Sequence, residues 1–523
     1  MPALLTDPRL LSAYSEGAGI YRILPRAVAI PSSVAQVSDI IRHCVAERLS
    51  LTPRGAGSGM PGGNVGRGVV LDMSQSFGSL EIDHERRVAR VGASVTWAQV
   101  NEAARGHGLR LPPDPSSGAF ATSGGMVSTN AAGPRSVRYG SVRQWVESIE
   151  LVTGEGEVRT VRRGGGGGPW HLPPDTLPLV EQRFPKTRKN SSGYALDAFA
   201  NSGDEVDLFI GAEGTLGVVT AVDWRLQPIP PDAAGAALGF SELEALSEAV
   251  PFLIALRPSA IELLDRTLLG FVNQAGGEIP EVVECLLLVE FERPTAPAAH
   301  GVVGDAVRGL KHLLRHVETA VDRAGLDSLW RIRRLASPAL ARLPDRQRSL
   351  QLIEDGCVPI ERLSQYVTRV RSLADRYEVP VAVFGHAGDG HVHVNVLPDL
   401  GRSGWRERLR GLYDDASSLV RSLGGTPSGE HGDGRLRAGL LEASFGTDVV
   451  ALFHELRRAY DPHSILNPGV ILPAADWDPL ADLKVGELAE PIPDDIARAL
   501  REIERAAGWE IHKQDLGRPP ADH

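Results

Sequence analysis

The sequence predicts an α+β protein built from two large units and a short acidic extension. Three observations predict it. Three glycine-rich segments, at 54–68, 118–140 and 211–217, are set between short apolar strands in the first half. Pro228, Pro230 and Pro231 read as a linker. Beyond them helical stretches alternate with apolar strands, which is α+β composition with mixed or antiparallel pairing. A length of 523 residues fits two large domains with insertions, at roughly 150 residues per unit.

The elements follow in order. Residues 27–41 (AVAIPSSVAQVSDII) read as a strand, a Pro-Ser turn and an amphipathic helix. A glycine-dense loop then precedes the apolar strand Val69 to Leu71. RVARVGASVTWAQVNEAARGHG reads as strand, turn and helix, with Gly106 and Gly108 as the stop. ESIELVTGEGEVRTV carries a GEGE turn between apolar alternations, the pattern of a hairpin. The five glycines at 164–168 read as a flexible excursion. In the second half, SELEALSEAVPFLIAL and ERLSQYVTRVRSLADRY are helical; ECLLLVEFE, PVAVFGH and HVHVNVL are strands. After residue 473 one helix is expected, Asp494 to Ala507, with Ile496, Leu500, Ile503 and Ala507 on one face and Gly508 as its stop. Such a helix usually docks on its own protein; the acidic tail around it reads as solvated, with a partner-docking role the sharper alternative.

Composition narrows the function. A net charge of −11 argues against nucleic acid as the main partner. Three widely spaced cysteines, Cys44, Cys285 and Cys357, support no disulfide framework and no iron–sulfur quartet. The N-terminus has Asp7 and Arg9 where a signal peptide needs its apolar run, and no stretch makes a good membrane span. These features point to a soluble, cytoplasmic protein of a reducing compartment. Glycine is in excess: 57 of 523 residues, against an average near 7%.

Part of that excess has chemical meaning. Backbone without Cβ approaches anions closely, and consecutive N–H groups form anion-binding nests. Arg54-Gly55-Ala56-Gly57-Ser58-Gly59 follows the strand-like LTP and suits a pyrophosphate. It fails the Rossmann pattern, because Pro61, Gly62 and Gly63 forbid the helix that should follow. Alone, the loop fits tight turns as well as phosphate binding.

Four phrases in order, PRGAGSGMPGGNVGRGVVLDMS, LPPDPSSGAFATSGGMVSTNAAGPRSVRYGSVRQWVESIELVT, KNSSGYALDAF and FIGAEGTLGVVTAVDWRL, resemble the vanillyl-alcohol-oxidase/p-cresol-methylhydroxylase (PCMH) type of flavoprotein. The resemblance implies a two-part PCMH-type FAD-binding domain over 22–230. Arg54, Gly55, Ala56, Gly57, Ser58 and Gly59 would hold the FAD pyrophosphate. Pro113, Asp114, Thr122, Ser123, Gly125, Asn130, Gly133, Tyr139 and Gly140 would line ribityl and isoalloxazine. Glu213, Gly214, Gly217 and Val219 would line the adenine side. Some relatives attach FAD through His or Cys; Ser58, Gly59 and Met60 at the corresponding stretch imply non-covalent FAD.

The second half holds GHAGDGHVHVN and GEHGDGR. In HVHVNV the period of two puts His391, His393 and Asn395 on one face and three valines on the other. The Gly-Asp-Gly turn can bring His386 back beside His393. His386, His393 and Glu430 make a divalent-metal set with open positions. His391 fits a solvent-exposed position as readily as a functional one.

This half, through PSAIELLD, LWRIRR, LIEDGCVPIERL, HAGDGHVHVN, GEHGDGR and YDPHSILNPG, resembles the FAD-linked D-2-hydroxyacid dehydrogenases: D-lactate dehydrogenase, glycolate oxidase and D-2-hydroxyglutarate dehydrogenase. The resemblance implies an α+β substrate (cap) domain over 231–473 with a mainly antiparallel sheet, leaving 474–523 as an acidic extension. It implies a zinc or manganese ion on His386, His393 and Glu430, with His431 as base. Relatives often carry Asn at the His391 position, which sets that residue apart. Arg333 and Arg348 are candidates for the substrate carboxylate, since guanidinium pairs bidentately with it; Ser337 and Asn395 would hydrogen-bond the substrate. Asn467 would return the chain to the flavin.

The expected function is oxidation of a small 2-hydroxyacid with hydride transfer to flavin N5. A non-redox flavoenzyme of the alkyl-dihydroxyacetone-phosphate synthase kind is the alternative on this fold, and a metallohydrolase without FAD is a third reading. KTRKNSSGYALDAF and GTPSGEHGDGRLRAG look most like long relatives that add a cysteine-rich iron–sulfur domain. With three cysteines the expected electron acceptor is separate: an iron–sulfur protein, an electron-transfer flavoprotein, a quinone or oxygen. A homodimer is among the assemblies this reading admits.

Overall fold

Parallel strands need a crossover, and the first segment supplies one. Ala27–Ala29, Val69–Asp72 and Leu51–Arg54 form a parallel sheet with Val69–Asp72 central. The helix Val34–Glu47 makes the crossover: Ser33 caps its start by accepting from the Gln36 amide, and Arg48 ends it in the left-handed region. Val37, Ile40, Ile41 and Cys44 pack the helix onto the sheet. The structure is a computed structural model, describing residues 3–274, 276–509 and 511–517, without the side chains of Ala336 and Ser337.

The predicted hairpin, Val146–Val152 with Val158–Arg162, joins an antiparallel five-stranded sheet ordered Leu80–Asp83, Val88–Gly92, Val218–Arg225, Val146–Val152, Val158–Arg162. Behind it the buried Trp224 indole donates to Ser123 Oγ at 3.1 Å. The five-glycine run lies in coil without helix or strand.

The second half builds an antiparallel seven-stranded sheet, with Asp232–Phe240, Cys285–Arg293, Ala260–Asp265, Val381–His386 and His391–Val396 as its five consecutive inner strands. Its strands read as continuous apolar runs because both faces are covered. Helices Leu246–Ala255, Leu363–Tyr377 and Trp405–Ser422 pack on one face. Arg266–Gln274 and Arg323–Ala341 cover the other. Val392, Val394 and Val396 enter the first of these cores, as the period of two requires.

After the cap the chain returns. Leu441, Phe445, Val449, Phe453 and Tyr460 pack into the core of the five-stranded sheet. The two halves are thus joined by a second covalent passage, and the cavity between them is held from both sides.

In the tail the expected helix is present, Asp494–Ala506, and docks on its own protein; a second short helix, Lys513–Gly517, follows it, while acidic residues such as Asp476, Glu487 and Glu490 are exposed. Ile496 and Leu500 meet Ala13 of the N-terminal helix Pro8–Tyr14. Ile503 and Trp509 meet Ala18, with Met60 and Phe120 packed against them. The first helix ends at Ala507 in the left-handed region, with the Gly508 amide bonded to the Ile503 carbonyl at 2.9 Å. No helix among the described residues is long and apolar enough to cross a membrane.

Candidate active site

The junction of the two halves encloses a cavity of about 930 Å³. Its floor is the loop after strand Leu51–Arg54. Gly57 takes φ +79, a conformation that favours glycine, and a Cβ there would strike the Arg54 guanidinium. That guanidinium donates to the carbonyls of Tyr14 and Glu16, at 3.1 and 2.7 Å. The Arg54 side chain therefore braces the loop. Among the described residues, none of the five main-chain N–H groups of 55–59 has a protein acceptor. A row of free donors backed by glycine fits the diphosphate of a dinucleotide.

Of the residues expected around the flavin, Arg54 to Gly59, Asp114, Thr122, Gly125, Glu213, Gly214, Gly217 and Val219 line the cavity. Pro113, Ser123, Asn130, Gly133, Tyr139, Gly140 and Asn467 stand behind this wall. Gly133 is the close approach, where a Cβ would meet the Asp114 carbonyl. The Asn467 amide donates to the carbonyls of Gly63 and Glu213 at 2.8 and 2.9 Å, tying two wall segments together. Tyr139 bonds Glu292 and Arg110 at the junction between the halves.

The predicted turn brings the histidines together. Phe384 pairs with His393 across the hairpin, and Ala387–Asp389 with Gly390 at φ +69 reverse the chain. His386 Nε2 lies 3.0 Å from Glu430 Oε1 and 3.4 Å from His393 Nε2, and the third side of the triangle, His393 Nε2 to Glu430 Oε1, is 3.4 Å. Ligand atoms on a tetrahedral metal with bonds of roughly 2.1 Å stand about 3.4 Å apart. Each imidazole is oriented from its other nitrogen: His386 Nδ1 by Glu262 at 2.5 Å, His393 Nδ1 by the Glu354 carbonyl at 3.0 Å. In metal-binding histidines a partner on the non-ligating nitrogen fixes the ring's tautomer and orientation in the same way. The donor set fits a divalent metal.

His431 stands beside this set, its Nδ1 2.6 Å from Glu354 Oε2 and its Nε2 3.7 Å from Glu430 Oε1. His391 is fully buried, contrary to a surface position; its Nε2 bonds Asp355 at 2.8 Å. Burial, the largest influence on it, pushes His391 down to about 4, so it is neutral. Burial also opposes charge on His386 and His431. There the carboxylates win: Glu262 holds His386 up to about 9, and Glu354 with Asp355 hold His431 up to about 10. Glu430 stays well below the usual range against its burial because Lys189 and His386 face it.

Arg333 is buried in the cavity wall, bonded to Glu262 through Nε at 2.9 Å, and its guanidinium lies 4.4 Å above the Phe384 ring. Asn395 lines the cavity and accepts from Ser349 Oγ at 3.1 Å. Arg348 sits behind this wall, paired with Glu504 of the tail. The Ser337 side chain lies outside the described residues. His386 is likewise behind the wall, while His393, Glu430 and His431 open into the cavity.

Sequence reasoning missed Glu262, Glu354, Asp355 and Lys189. Lys189, from the first half, reaches Glu430 Oε2 at 2.6 Å. One signal existed: an acid inside an apolar strand such as AIELLD, or a lone lysine in an arginine-rich chain, is seldom placed without a partner.

Two family models match the chain, an FAD binding domain over residues 25–162 and the C-terminal domain of FAD linked oxidases over 229–471. It is similar to the glycolate oxidase subunit GlcD of Bacillus subtilis, 30% identical over 462 residues, 86% of this chain and 89% of that one. It is also similar to the D-lactate dehydrogenase of Archaeoglobus fulgidus, 32% identical over 460 residues, 86% and 93% of the two chains. Among solved structures, the 4-ethylphenol oxidase from Gulosibacter chungangensis superposes with a TM-score of 0.65 at 15% identity, over 90% of this chain and 94% of that one. An alkyldihydroxyacetonephosphate synthase gives 0.62 at 15% identity, over 87% and 81%. At such identities these two report the PCMH-type fold alone.

Proposed function

The chain belongs to the FAD-linked oxidase family, and from that premise we propose that it oxidises a small D-2-hydroxyacid to the 2-oxoacid. The observation that carries this reading is one shared cavity: the glycine cradle forms its floor, and His393, Glu430 and His431 open into it. The tight imidazole–carboxylate set also favours it over a non-redox reaction on the same fold.

Bound FAD would supply the hydride acceptor, and a zinc or manganese ion a Lewis acid for the substrate hydroxyl. The main-chain N–H groups of 55–59 would hold the cofactor's diphosphate, non-covalently. His386, His393 and Glu430 would hold the metal. Among the described residues Arg333 bonds Glu262 through Nε alone, which would leave its terminal nitrogens to the substrate carboxylate, with Asn395 lining the same cavity and Ser337 as a further proposed hydrogen-bond partner of the substrate. His431, anchored at Nδ1, presents Nε2 to the hydroxyl proton, and the C2 hydrogen leaves as hydride. The carboxylates that orient His431 also hold it protonated. Its service as a base therefore requires compensating positive charge beside it, which the neighbouring ligand set is suited to hold.

Electrons then pass to a separate acceptor, an iron–sulfur protein, an electron-transfer flavoprotein or a quinone.

The test is His431→Asn. Anaerobic bleaching of the flavin by candidate D-2-hydroxyacids should slow by at least about 10²-fold. Wild-type rates in the variant would sink the assignment.

A further inference from the structure

Segment 188–193 belongs to the first half and lies against the second. Arg188 Nε stands 3.3 Å from Asp389 Oδ1, and the Ser191 amide donates to the Ser428 carbonyl at 2.9 Å. Ser192 Oγ and the Gly193 amide donate to Asp433 at 2.8 and 2.7 Å. The aspartates of both Gly-Asp-Gly turns are therefore held from across the junction. Between these ties the segment carries Lys189 into the histidine cluster.

Lys189 is buried, and three groups surround its ammonium: Glu430 Oε2 at 2.6 Å, His391 Nδ1 at 3.5 Å and Asp389 Oδ2 at 3.7 Å. The two oxygens of Glu430 are thus divided between partners. Oε1 faces His386 Nε2 and His393 Nε2, while Oε2 accepts from Lys189, its one hydrogen-bond donor among the described residues. The backbone is fixed separately, since the Glu430 and His431 amides donate to Asp355 at 3.2 and 2.9 Å. With main chain and Oε2 both held, Oε1 cannot turn from the imidazoles without breaking a buried ion pair.

Two roles for Lys189 predict opposite signs. As a counter-charge alone, it would repel a dication bound on the imidazole side of Glu430, and its removal would tighten metal binding. As the group that aims Oε1, it would act like other outer partners of metal ligands, whose loss weakens binding by about 10- to 100-fold. The geometry favours the second role, because the ammonium bonds the oxygen that the imidazoles do not use and leaves Oε1 to them.

We propose that Lys189 is a positioning residue of the metal site: supplied by the first half, it fixes the Glu430 carboxylate so that one oxygen is presented to His386 and His393. The proposal rests on the reading of His386, His393 and Glu430 as metal ligands. It makes the metal site a product of both halves of the chain, with the charge that orders a ligand of the second half coming from the first.

The test is equilibrium dialysis of full-length, FAD-loaded, metal-stripped protein against buffered zinc, with bound zinc counted by atomic absorption. Lys189→Met should weaken zinc binding by at least about tenfold and keep its flavin. Arg188→Gln removes a neighbouring tie between the halves without touching Glu430, and should bind zinc as wild type does. Unchanged or tighter binding in folded Lys189→Met overturns the proposal. An equal loss in Arg188→Gln also overturns it, by making docking of the segment the cause. Should Lys189→Met fail to fold, a crystal structure of zinc-loaded wild type decides: Lys189 bonded to Glu430 Oε2 supports the proposal, and Oε2 turned away from Lys189 overturns it. If wild type binds no zinc, the ligand assignment itself falls, and the proposal with it.

Discussion

Glu354 accepts a hydrogen bond from His431 Nδ1 at 2.6 Å on one carboxylate oxygen, while Arg437 Nη2 holds the other at 2.5 Å. The imidazole can neither rotate nor choose another tautomer without breaking a buried ion pair. Arg437 itself is 2% exposed, so the orienting carboxylate is as rigid as the core around it.

Replacing Glu354 should therefore be costly in two separable ways. Glu354→Gln keeps the shape, loses the charge, and should slow anaerobic flavin reduction by about 10²-fold without releasing FAD. Glu354→Ala also takes the nearest carboxylate from buried Arg437, leaving it Asp355 at 3.8 Å, and should cost stability, up to roughly 3 kcal/mol. Stopped-flow spectroscopy and denaturant unfolding measure the two losses; a fully active Gln variant would remove Glu354 from the mechanism.

Metal removal gives a second expectation. Dialysis against a strong chelator should abolish turnover and leave the visible flavin spectrum in place, and zinc or manganese should restore it. Glu262→Gln loosens His386 and should weaken metal binding by about 10- to 100-fold, read by chelator competition on stripped protein. Metal-free protein with full activity would count against the ligand set.

The cradle can be probed without touching the chemistry. Gly57→Ala forces φ +79 on a residue with a Cβ, against the Arg54 guanidinium, at roughly 1–2 kcal/mol for the backbone alone. FAD retained after gel filtration should fall. Gly108 also has positive φ, +68, with open space around its Cβ position, so Gly108→Ala carries the backbone strain and should keep its flavin. Equal retention in the two variants would refute a cradle at 55–59.

Tail docking should depend on pH. Burial opposes the Glu504 charge, but Lys484, Arg348 and Arg501 outweigh it and bring the group from 4.5 down to about 2. A folded-state value below the unfolded one stabilises above about pH 4.5, and the benefit is lost as pH falls toward 2, up to about 3 kcal/mol. Proteolytic release of the tail should rise across that window in wild type and rise less in Glu504→Gln. Identical profiles would show that the ion cluster does not hold the helix down.

Much of the site was written in local pattern. The period of two in HVHVNV places the valines in the core and two imidazoles on one face, and GDG turns the chain so that His386 meets His393. Glycine spacing before Val69 indicates a loop that cannot become a helix. These features depend on a few neighbouring residues and on steric rules that hold in any fold.

The partners of those residues depend on long-range closure. Glu262 reaches His386 across 124 positions, Lys189 reaches Glu430 across 241, and Glu504 reaches Arg348 across 156. No periodicity encodes such distances, because side-chain charges pair according to how sheets and helices stack. The sequence by itself determined the strands, the turns, the glycine loop and the residue types able to bind a metal. Only the tertiary structure decided which carboxylate orients each histidine, that His391 is buried, and that the acidic tail closes the cavity. The physical reason is desolvation: a charge drawn into the junction must find its counter-charge there, and the packed chain alone sets which one is in reach.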